Sequence, residues 1–306
     1  MKIIYGVNNI LKFNKPVVAM GVFDGVHRGH RAILKAAVKK ARRIGGVSMA
    51  LTFWPHPQKE GMLYSLEHRL RLIAAMGIDA CVVINFSRHF AGIKAEDFLK
   101  DILADKIKAA YVYVGRDFRF GCRARGDLAL LQRAGERYGF KARGLDIMKA
   151  GGTAISSTLI RGLIRKGELK KAKRLLQGPV SILGTVVKGT RLGRIMGFPT
   201  ANINPHHEVI PAEGIYAVRI ILGRKTFAGA CYIGTRPTIS AERRKKINVE
   251  VHIFGFHKNI YGRYLEIRFV KKIRPDKKFP SLTLLAEQVR KDVRRAREIL
   301  VKHPKM

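Results

Sequence analysis

The sequence predicts two domains of different architecture: an α/β domain with a doubly wound parallel sheet, then a β-barrel domain that ends in one long helix. Three observations point there. At 306 residues the chain exceeds the size at which a single core usually keeps growing. Up to about residue 178, short apolar runs alternate with amphipathic stretches in βαβα order. Beyond LLQGPV at 175–180 the apolar runs follow one another closely, joined by Gly, Pro and basic turns, as in an antiparallel barrel or sandwich. The expected domains are therefore 1–178 and 179–306.

In the first domain, VVAMGVF (17–23), GVSMALTF (46–53), ACVVINF (80–86) and AAYVYVG (109–115) read as strands, being rich in Val, Ile and aromatics. Between them, RAILKAAVKKARRI places Ile33, Leu34, Ala37, Val38 and Ala41 on one helical face, and AEDFLKDILADKI does the same with Phe98, Ile102, Leu103 and Ile107. Helices on both faces of a parallel sheet follow, with ligands beyond the carboxyl ends of the strands. In the second domain, ILGTVV, GIYAVRIILG, TFAGACYIG, NVEVHIFGF and YLEIRFV are strand-like. The closing segment SLTLLAEQVRKDVRRAREIL is an amphipathic helix with Ser281 as N-cap and Leu282, Leu285, Val289 and Val293 facing the barrel.

Composition excludes several classes. No apolar run approaches the roughly 18 residues of a membrane span, and the first residues lack a signal-peptide core, so a soluble cytoplasmic protein is expected. Three cysteines, Cys81, Cys122 and Cys231, are far apart and form no CxxC pair, against both a disulfide framework and a zinc site. His206 and His207 are expected to face solvent. The net charge of +38 suggests polyanions, but the basic residues are spread along the chain, and there is no RNA-recognition consensus or zinc-finger spacing. Anionic substrates are the simpler expectation; no specific nucleic acid and no membrane partner are expected, and the oligomeric state is left open.

GVFDGVHRGH, residues 21–30, lies where the first of these strands ends and a helix begins, a place where unpaired backbone N–H groups and the helix dipole favour an anion. Gly21, Gly25 and Gly29 let a phosphate approach the backbone, while His27 and His30 can donate to its oxygens. Asp24 either binds ligand or braces the turn. The stretch is neither a Walker A loop nor a GxGxxG fingerprint. Its HxGH pattern resembles that of the HIGH-type nucleotidyltransferases, and the longer string resembles the N-terminal half of the bacterial bifunctional riboflavin kinase/FAD synthetases. The resemblance implies that His27 and His30 stabilise a triphosphate during attack on its α-phosphate, with Phe23 and its neighbours at the ATP site.

Further blocks follow in that family's order. TFWPHP (52–57) is similar to a segment that helps hold the flavin nucleotide, which implies that role for Pro55, His56 and Pro57. VGRDFRFGCRARGD (114–127) is similar to the family's VGxDFxFGxxxxGD block, which implies substrate contacts for Asp117, Phe118 and Arg119; Phe118 and Phe120 are equally suited to the core. ISSTLIR (155–161) resembles the ISSTxIR motif. On their own chemistry, Ser156 and Ser157 cap a helix and offer hydroxyls to phosphate, and Arg161, one turn on, supplies a fork of donors. The plainer alternative is a capped helix with an exposed arginine. Thr158 joins the phosphate-binding set by resemblance.

GTVVKGTRLGRIMGFPTANI, residues 184–203, is the densest motif of the second half. Gly184, Gly189, Gly193 and Gly197 suggest a mobile flap over phosphates. Thr200 and Asn202 share a face if extended, and both offer oxygen, which magnesium prefers. The string resembles the riboflavin kinase signature GRxxGFPTAN, which includes Pro199. GIYAV, IGTRPT, VEVHIF and IYG follow in the family's order. The match implies that Glu250 is the base taking the proton of riboflavin's terminal ribityl hydroxyl, with Thr200 and Asn202 at the metal. Taken alone, a Glu between Val249 and Val251 also suits a solvated strand face. Tyr232 stands where relatives often have Asn, and Gly255 and His257 where they are often acidic.

The resemblance thus implies an ATP-dependent enzyme with riboflavin, FMN and FAD as its other ligands, magnesium as the metal, and two reactions. Riboflavin is phosphorylated to FMN, and the FMN phosphate then attacks the α-phosphorus of ATP, expelling pyrophosphate. That nucleophile is already an anion, so alignment and charge neutralisation carry the second step. Two other readings fit the same chain: an adenylyltransferase with an inactive kinase-like domain, and a basic nucleic-acid-associated protein on this scaffold.

Overall fold

The computed structural model describes residues 1–55, 61–189, 192–236 and 246–304. The chain divides into two compact units, Met1–Met62 with Leu66–Ser157, and Thr158–Met306 with the short segment Leu63–Ser65. The division falls at Ser157, upstream of the change of pattern near Gly178, so the helical stretch from Thr158 goes with the second unit.

The first unit is built on a six-stranded parallel sheet in the order β1-β4-β3-β2-β5-β6. The strands are β1 (Lys2–Tyr5), β2 (Val17–Met20), β3 (Ser48–Trp54), β4 (Ala80–Asn85), β5 (Tyr111–Gly115) and β6 (Lys141–Leu145). The four central strands are those the apolar runs predict. The two edges, KIIY and KARGL, keep most residues exposed or half-buried and so lack a continuous apolar run.

Strand alternation sends side chains to two cores. Val17 and Ala19 join Ala50, Cys81 and Val83 on one face, where helix α1 (Arg28–Arg43) covers them with Ile33, Leu34, Ala37, Val38 and Ala41, the set its periodicity predicts. Helix α2 (Leu66–Ala74) adds Leu70 and Ile73 to that face. Val18 and Met20 point the other way, with Met49, Leu51 and Val82, beneath Phe98, Leu99, Ile102 and Leu103 of helix α3 (95–106) and Leu131 of α4 (Leu128–Tyr138). Each such buried aliphatic side chain contributes about 2 kcal/mol. Connections run outward from β2 to one edge and from β5 to the other, so the crevice between β2 and β5 at their carboxyl ends is the sheet's switch point.

The second unit opens with helices α5 (Ser157–Arg165) and α6 (Leu169–Leu176) and then forms a closed barrel. Its strands are β7 (Ser181–Val187), β8 (Ala201–Asn204), β9 (Gly214–Leu222), β10 (Lys225–Arg236), β11 (Lys246–Ile253) and β12 (Tyr264–Arg274). They close in the order β8-β11-β10-β9-β12-β7 with every neighbour antiparallel. Alternate residues such as Val218, Ile220, Cys231, Val249, Val251 and Ile267 are buried in it.

On the outer wall, Ala217 and Ala230 are small enough to seat helix α7 (Leu282–Lys302) through Ala296, Ile299 and Leu300. Ser281 caps α7 as expected, accepting from the Leu284 N–H at 3.3 Å. Of its expected contact face, Leu282 is exposed and Leu285, Val289 and Val293 are half-buried; the fully buried residues are Asp292 at the middle of the helix and Ala296, Ile299 and Leu300 beyond it. Polar groups fix the helix at its middle and at its C-terminal end. Arg274 pairs bidentately with Asp292 at 3.0 and 2.8 Å, and Arg219 donates to the carbonyls of Leu300 and His303.

His206 departs from its expected solvent-facing position: it is half-buried, with Nε2 2.8 Å from the Thr185 hydroxyl, whereas His207 is exposed. The segment Leu63–Ser65 is held by a buried carboxylate. Glu208 accepts from the Ser65 N–H and hydroxyl at 2.9 and 2.7 Å through one oxygen and from the Leu183 N–H through the other.

Candidate active sites

In the first unit the loop 21–27 leaves β2 at the switch point, and α1 begins immediately after it at Arg28. Phe23, Gly25 and Val26 all take left-handed backbone angles, with φ of 55°, 85° and 41°. Only Gly25 adopts this without strain; for Phe23 and Val26 it costs about 1–2 kcal/mol each, a cost met by burying both side chains completely. Gly21 and Gly29 have an internal reason besides ligand access. A Cβ at Gly21 would press on the Phe23 ring at 3.1 Å, and one at Gly29 on the His27 ring at 3.3 Å.

His27 is the N-cap of α1; its Nδ1 accepts a long, 3.5 Å hydrogen bond from the His30 N–H. That leaves the proton on Nε2, available to an incoming acceptor. The two imidazoles stack with centroids 3.6 Å apart, and Phe23 meets His30 edge-on. Burial pulls His27 down to about 4 and also holds His30 well below its ordinary value, with the nearby His27 and Arg69 charges adding to the effect on His30. Both rings are therefore neutral at pH 7. Among the described residues, the buried Nδ1 of His30 has no hydrogen-bond partner. A neutral ring pair with an unsatisfied nitrogen suits a phosphate group.

Asp24 is buried, and its carbonyl accepts from the Ser157 hydroxyl at 2.8 Å. This joins two motifs 133 residues apart. Ser156, just before α5, is exposed, as is Thr158. Arg161 lies one turn further along α5 at 3% exposure, which overturns the plainer alternative of an exposed arginine. Thr158 and Arg161 belong to the second compact unit.

The sheet order also explains the other two segments. β3 and β5 flank β2 in parallel, so the loops after all three strands share one edge. Pro55 follows β3, behind a cis peptide bond, and is exposed; His56 and Pro57 lie outside the described residues. Asp117 follows β5 and is exposed. Arg119 pairs with Asp127 at 3.1 Å, and Asp127 also caps α4. Phe118 is half-buried against the core and stacks on the buried Phe120.

Sequence reasoning missed Arg69. Its side chain is 1% exposed beneath this loop, donating to the Val22 carbonyl at 2.5 Å and the Phe53 carbonyl at 3.3 Å. Burial pulls the guanidinium below its ordinary value while Asp24 acts against that. The signal was present: Leu66, Arg69, Leu70 and Ile73 form an i, i+3, i+4, i+7 stripe with a cation at a core position.

The second cluster is on the barrel. Asn202 of β8 stands directly across from Glu250 of β11, which stands across from Tyr232 of β10. Thr200 donates to Glu250 Oε2 at 2.9 Å, and Asn248 donates to Oε1 at 2.7 Å. Val249 and Val251 are buried in the barrel, leaving Glu250 half-buried on the opposite face, with its oxygens engaged in this cluster. The glycines divide in function. Gly184 sits in the wall of β7, where a Cβ would run into Ile203 and Asn204, so it is not part of a flap. A Cβ at Gly189 would collide with the Asn202 amide, and one at Gly193 would strike the Phe198 carbonyl; Gly197 has φ 81° in the turn before Phe198 and the exposed Pro199.

Of the departures, Tyr232 donates to Asp276 at 3.3 Å, and burial, then Asp276, pushes its hydroxyl up to about 12. Gly255 takes φ 64° in the turn after β11, and His257 is exposed.

Two polar clusters on two separate architectures, with the motifs that form them, point to a class: nucleotide-dependent transferases that join a HIGH-type α/β unit to a barrel. Residues 10–159 match the family model described as FAD synthetase, and residues 176–300 the one described as riboflavin kinase. The chain is 38% identical to the bifunctional riboflavin kinase/FMN adenylyltransferase of Escherichia coli K12, over 97% of each chain. It is 35% identical to the Haemophilus influenzae protein of that name, over 97% of this chain and 98% of the relative. The chain belongs to the bifunctional riboflavin kinase/FMN adenylyltransferase family. A crystal structure described as a macrolide-efflux protein from Streptococcus pneumoniae shares the fold at TM-score 0.81 and 27% identity, covering 95% of this chain and 97% of that one. Among the described residues of this chain, no helix is long and apolar enough to cross a membrane.

Proposed function

We propose that this chain phosphorylates riboflavin with ATP to FMN and ADP, and adenylylates FMN with a second ATP to FAD and pyrophosphate. The observation that carries the reading is the presence of two distinct clusters, the stacked histidines at the switch point and the Thr200–Glu250–Asn248 cluster on the barrel.

In the adenylyl step, the FMN phosphate oxygen bonds to the α-phosphorus as the bond to pyrophosphate breaks. His27 donates through Nε2 and His30 through its unsatisfied nitrogen, placing donors where charge grows on the leaving group. Arg161 adds a fixed positive charge, and Gly25 keeps the loop curled. Ser156, Ser157 and Thr158 supply hydroxyls, with Pro55, His56, Pro57, Asp117, Phe118 and Arg119 on the flavin side.

In the kinase step, Glu250 takes the ribityl proton as that oxygen bonds to the γ-phosphorus and ADP leaves. Thr200 and Asn202 offer oxygen ligands beside a carboxylate, a set that fits magnesium; these residues would hold the ion, which would supply positive charge to the phosphates of the nucleotide. Free thiols at Cys81, Cys122 and Cys231 support a reducing, cytoplasmic setting.

The test is to incubate the purified chain with riboflavin, ATP and magnesium and to separate the flavins. FMN and FAD both form; His30→Ala stops at FMN; Glu250→Ala yields FAD only when FMN is supplied. Formation of neither flavin would refute the reading.

A further inference from the structure

We propose that Asn248 is a positioning residue for the kinase step, holding the Glu250 carboxylate in the orientation from which it takes the ribityl proton. The inference rests on the kinase reading above. Asn248 and Glu250 are two apart on β11, so their side chains leave the strand on the same side. The amide Nδ2 reaches Oε1 at 2.7 Å while the Thr200 hydroxyl reaches Oε2 at 2.9 Å, so each carboxylate oxygen is tied to a different strand or loop. A flipped amide would set oxygen against oxygen, which makes the orientation of Asn248 unambiguous.

The neighbouring strand supports this arrangement. Gly234 is the cross-strand partner of Asn248, and the Tyr232 hydroxyl lies back over it where a Cβ would collide. In the adjacent row Glu250 has Asn202 on one neighbouring strand and Tyr232 on the other.

In the step itself the ribityl O–H bond breaks, its proton goes to Glu250, the oxygen bonds to the γ-phosphorus, and the bond from that phosphorus to ADP breaks. Thr200 also serves the metal in this reading. Asn248 is then a tether of the base that is separate from the metal side, and its loss loosens the base without removing a contact to riboflavin.

The experiment measures steady-state FMN formation by the full chain with riboflavin, ATP and magnesium for the wild type and for Asn248→Ala, Asn248→Asp and Asn248→Gln. Conversion of supplied FMN to FAD is measured on the same preparations. Asn248→Ala and Asn248→Asp lower kcat about tenfold with KM for riboflavin within about twofold. Asn248→Gln, which keeps the amide donor, recovers most of the rate, and FAD formation is unchanged in all. Unchanged kcat in Ala and Asp, a rise in KM alone, failure of Gln to recover the rate, or loss of FAD formation as well would each overturn the proposal. A wild type that makes no FMN would overturn the kinase reading, and this inference with it.

Discussion

With its ring buried and stacked on His30, His27 loses a proton far more readily than an exposed histidine, at about 4 against an ordinary 6.5. The unfolded chain then binds more protons than the folded one between those values. The stability this site contributes is present above pH 6.5 and is lost as pH falls toward 4. From His27 alone the loss is about 3 kcal/mol, and His30 acts in the same direction. Urea midpoints of the ligand-free chain should fall through this window, and His27→Asn, which keeps a good N-cap, should flatten the fall; equal slopes in the two proteins would contradict it. A triphosphate at the rings reverses the effect by favouring the imidazolium. ATP binding near pH 5.5 should therefore take up protons. Calorimetric heats in two buffers of different ionisation enthalpy will differ for the wild type, and the difference will shrink in His30→Asn.

At the scale of elements, α7 depends on polar contacts as much as on its apolar stripe. Asp292 is buried and holds Arg274 bidentately, with Gln288 as a second partner at 3.0 Å. Asp292→Ala leaves the Arg274 cation half-enclosed without its partner, and should destabilise the barrel by about 3 kcal/mol, read as a lower midpoint for the barrel transition. A double Arg274→Met, Asp292→Leu variant should recover much of that loss. The stripe Leu285, Val289 and Val293 was legible from periodicity, but Asp292 was not, because a buried acid on a helix looks like any exposed one until its partner is placed. Arg69 differs, since its place in the apolar stripe of α2 was readable, while its carbonyl partners Val22 and Phe53 emerge only from the packing. Central strands β2 to β5 were legible because burial on both faces demands unbroken apolar runs. Edges β1 and β6 were not, because most of their residues are exposed or half-buried and so form no unbroken apolar run.

For the whole molecule, length and the change of pattern predicted two cores, yet the division at Ser157 was not visible, since α5 and α6 carry the same amphipathic grammar as the helices before them. The motifs gave the histidine pair and Glu250. They did not give the bond from Ser157 to Asp24, because a contact between segments 133 residues apart leaves no local spacing signal, and the i, i+2 spacing of Asn248 and Glu250 shows a shared face but not the bond between them. Two clusters with separate chemistry also predict separable activities. His30→Ala retains the barrel cluster and makes FMN; Glu250→Ala retains the histidine pair and makes FAD from FMN. Mixed together with riboflavin, ATP and magnesium, the two variants should produce FAD that neither makes alone, after a lag while released FMN accumulates. Because FMN must cross between molecules, the lag should shorten as either variant is added in excess and vanish when FMN is supplied. Flavin separation over time checks this. A mixture that accumulates FMN without FAD would show that the adenylyl site accepts only FMN made on its own chain, and independence of the two sites would be lost.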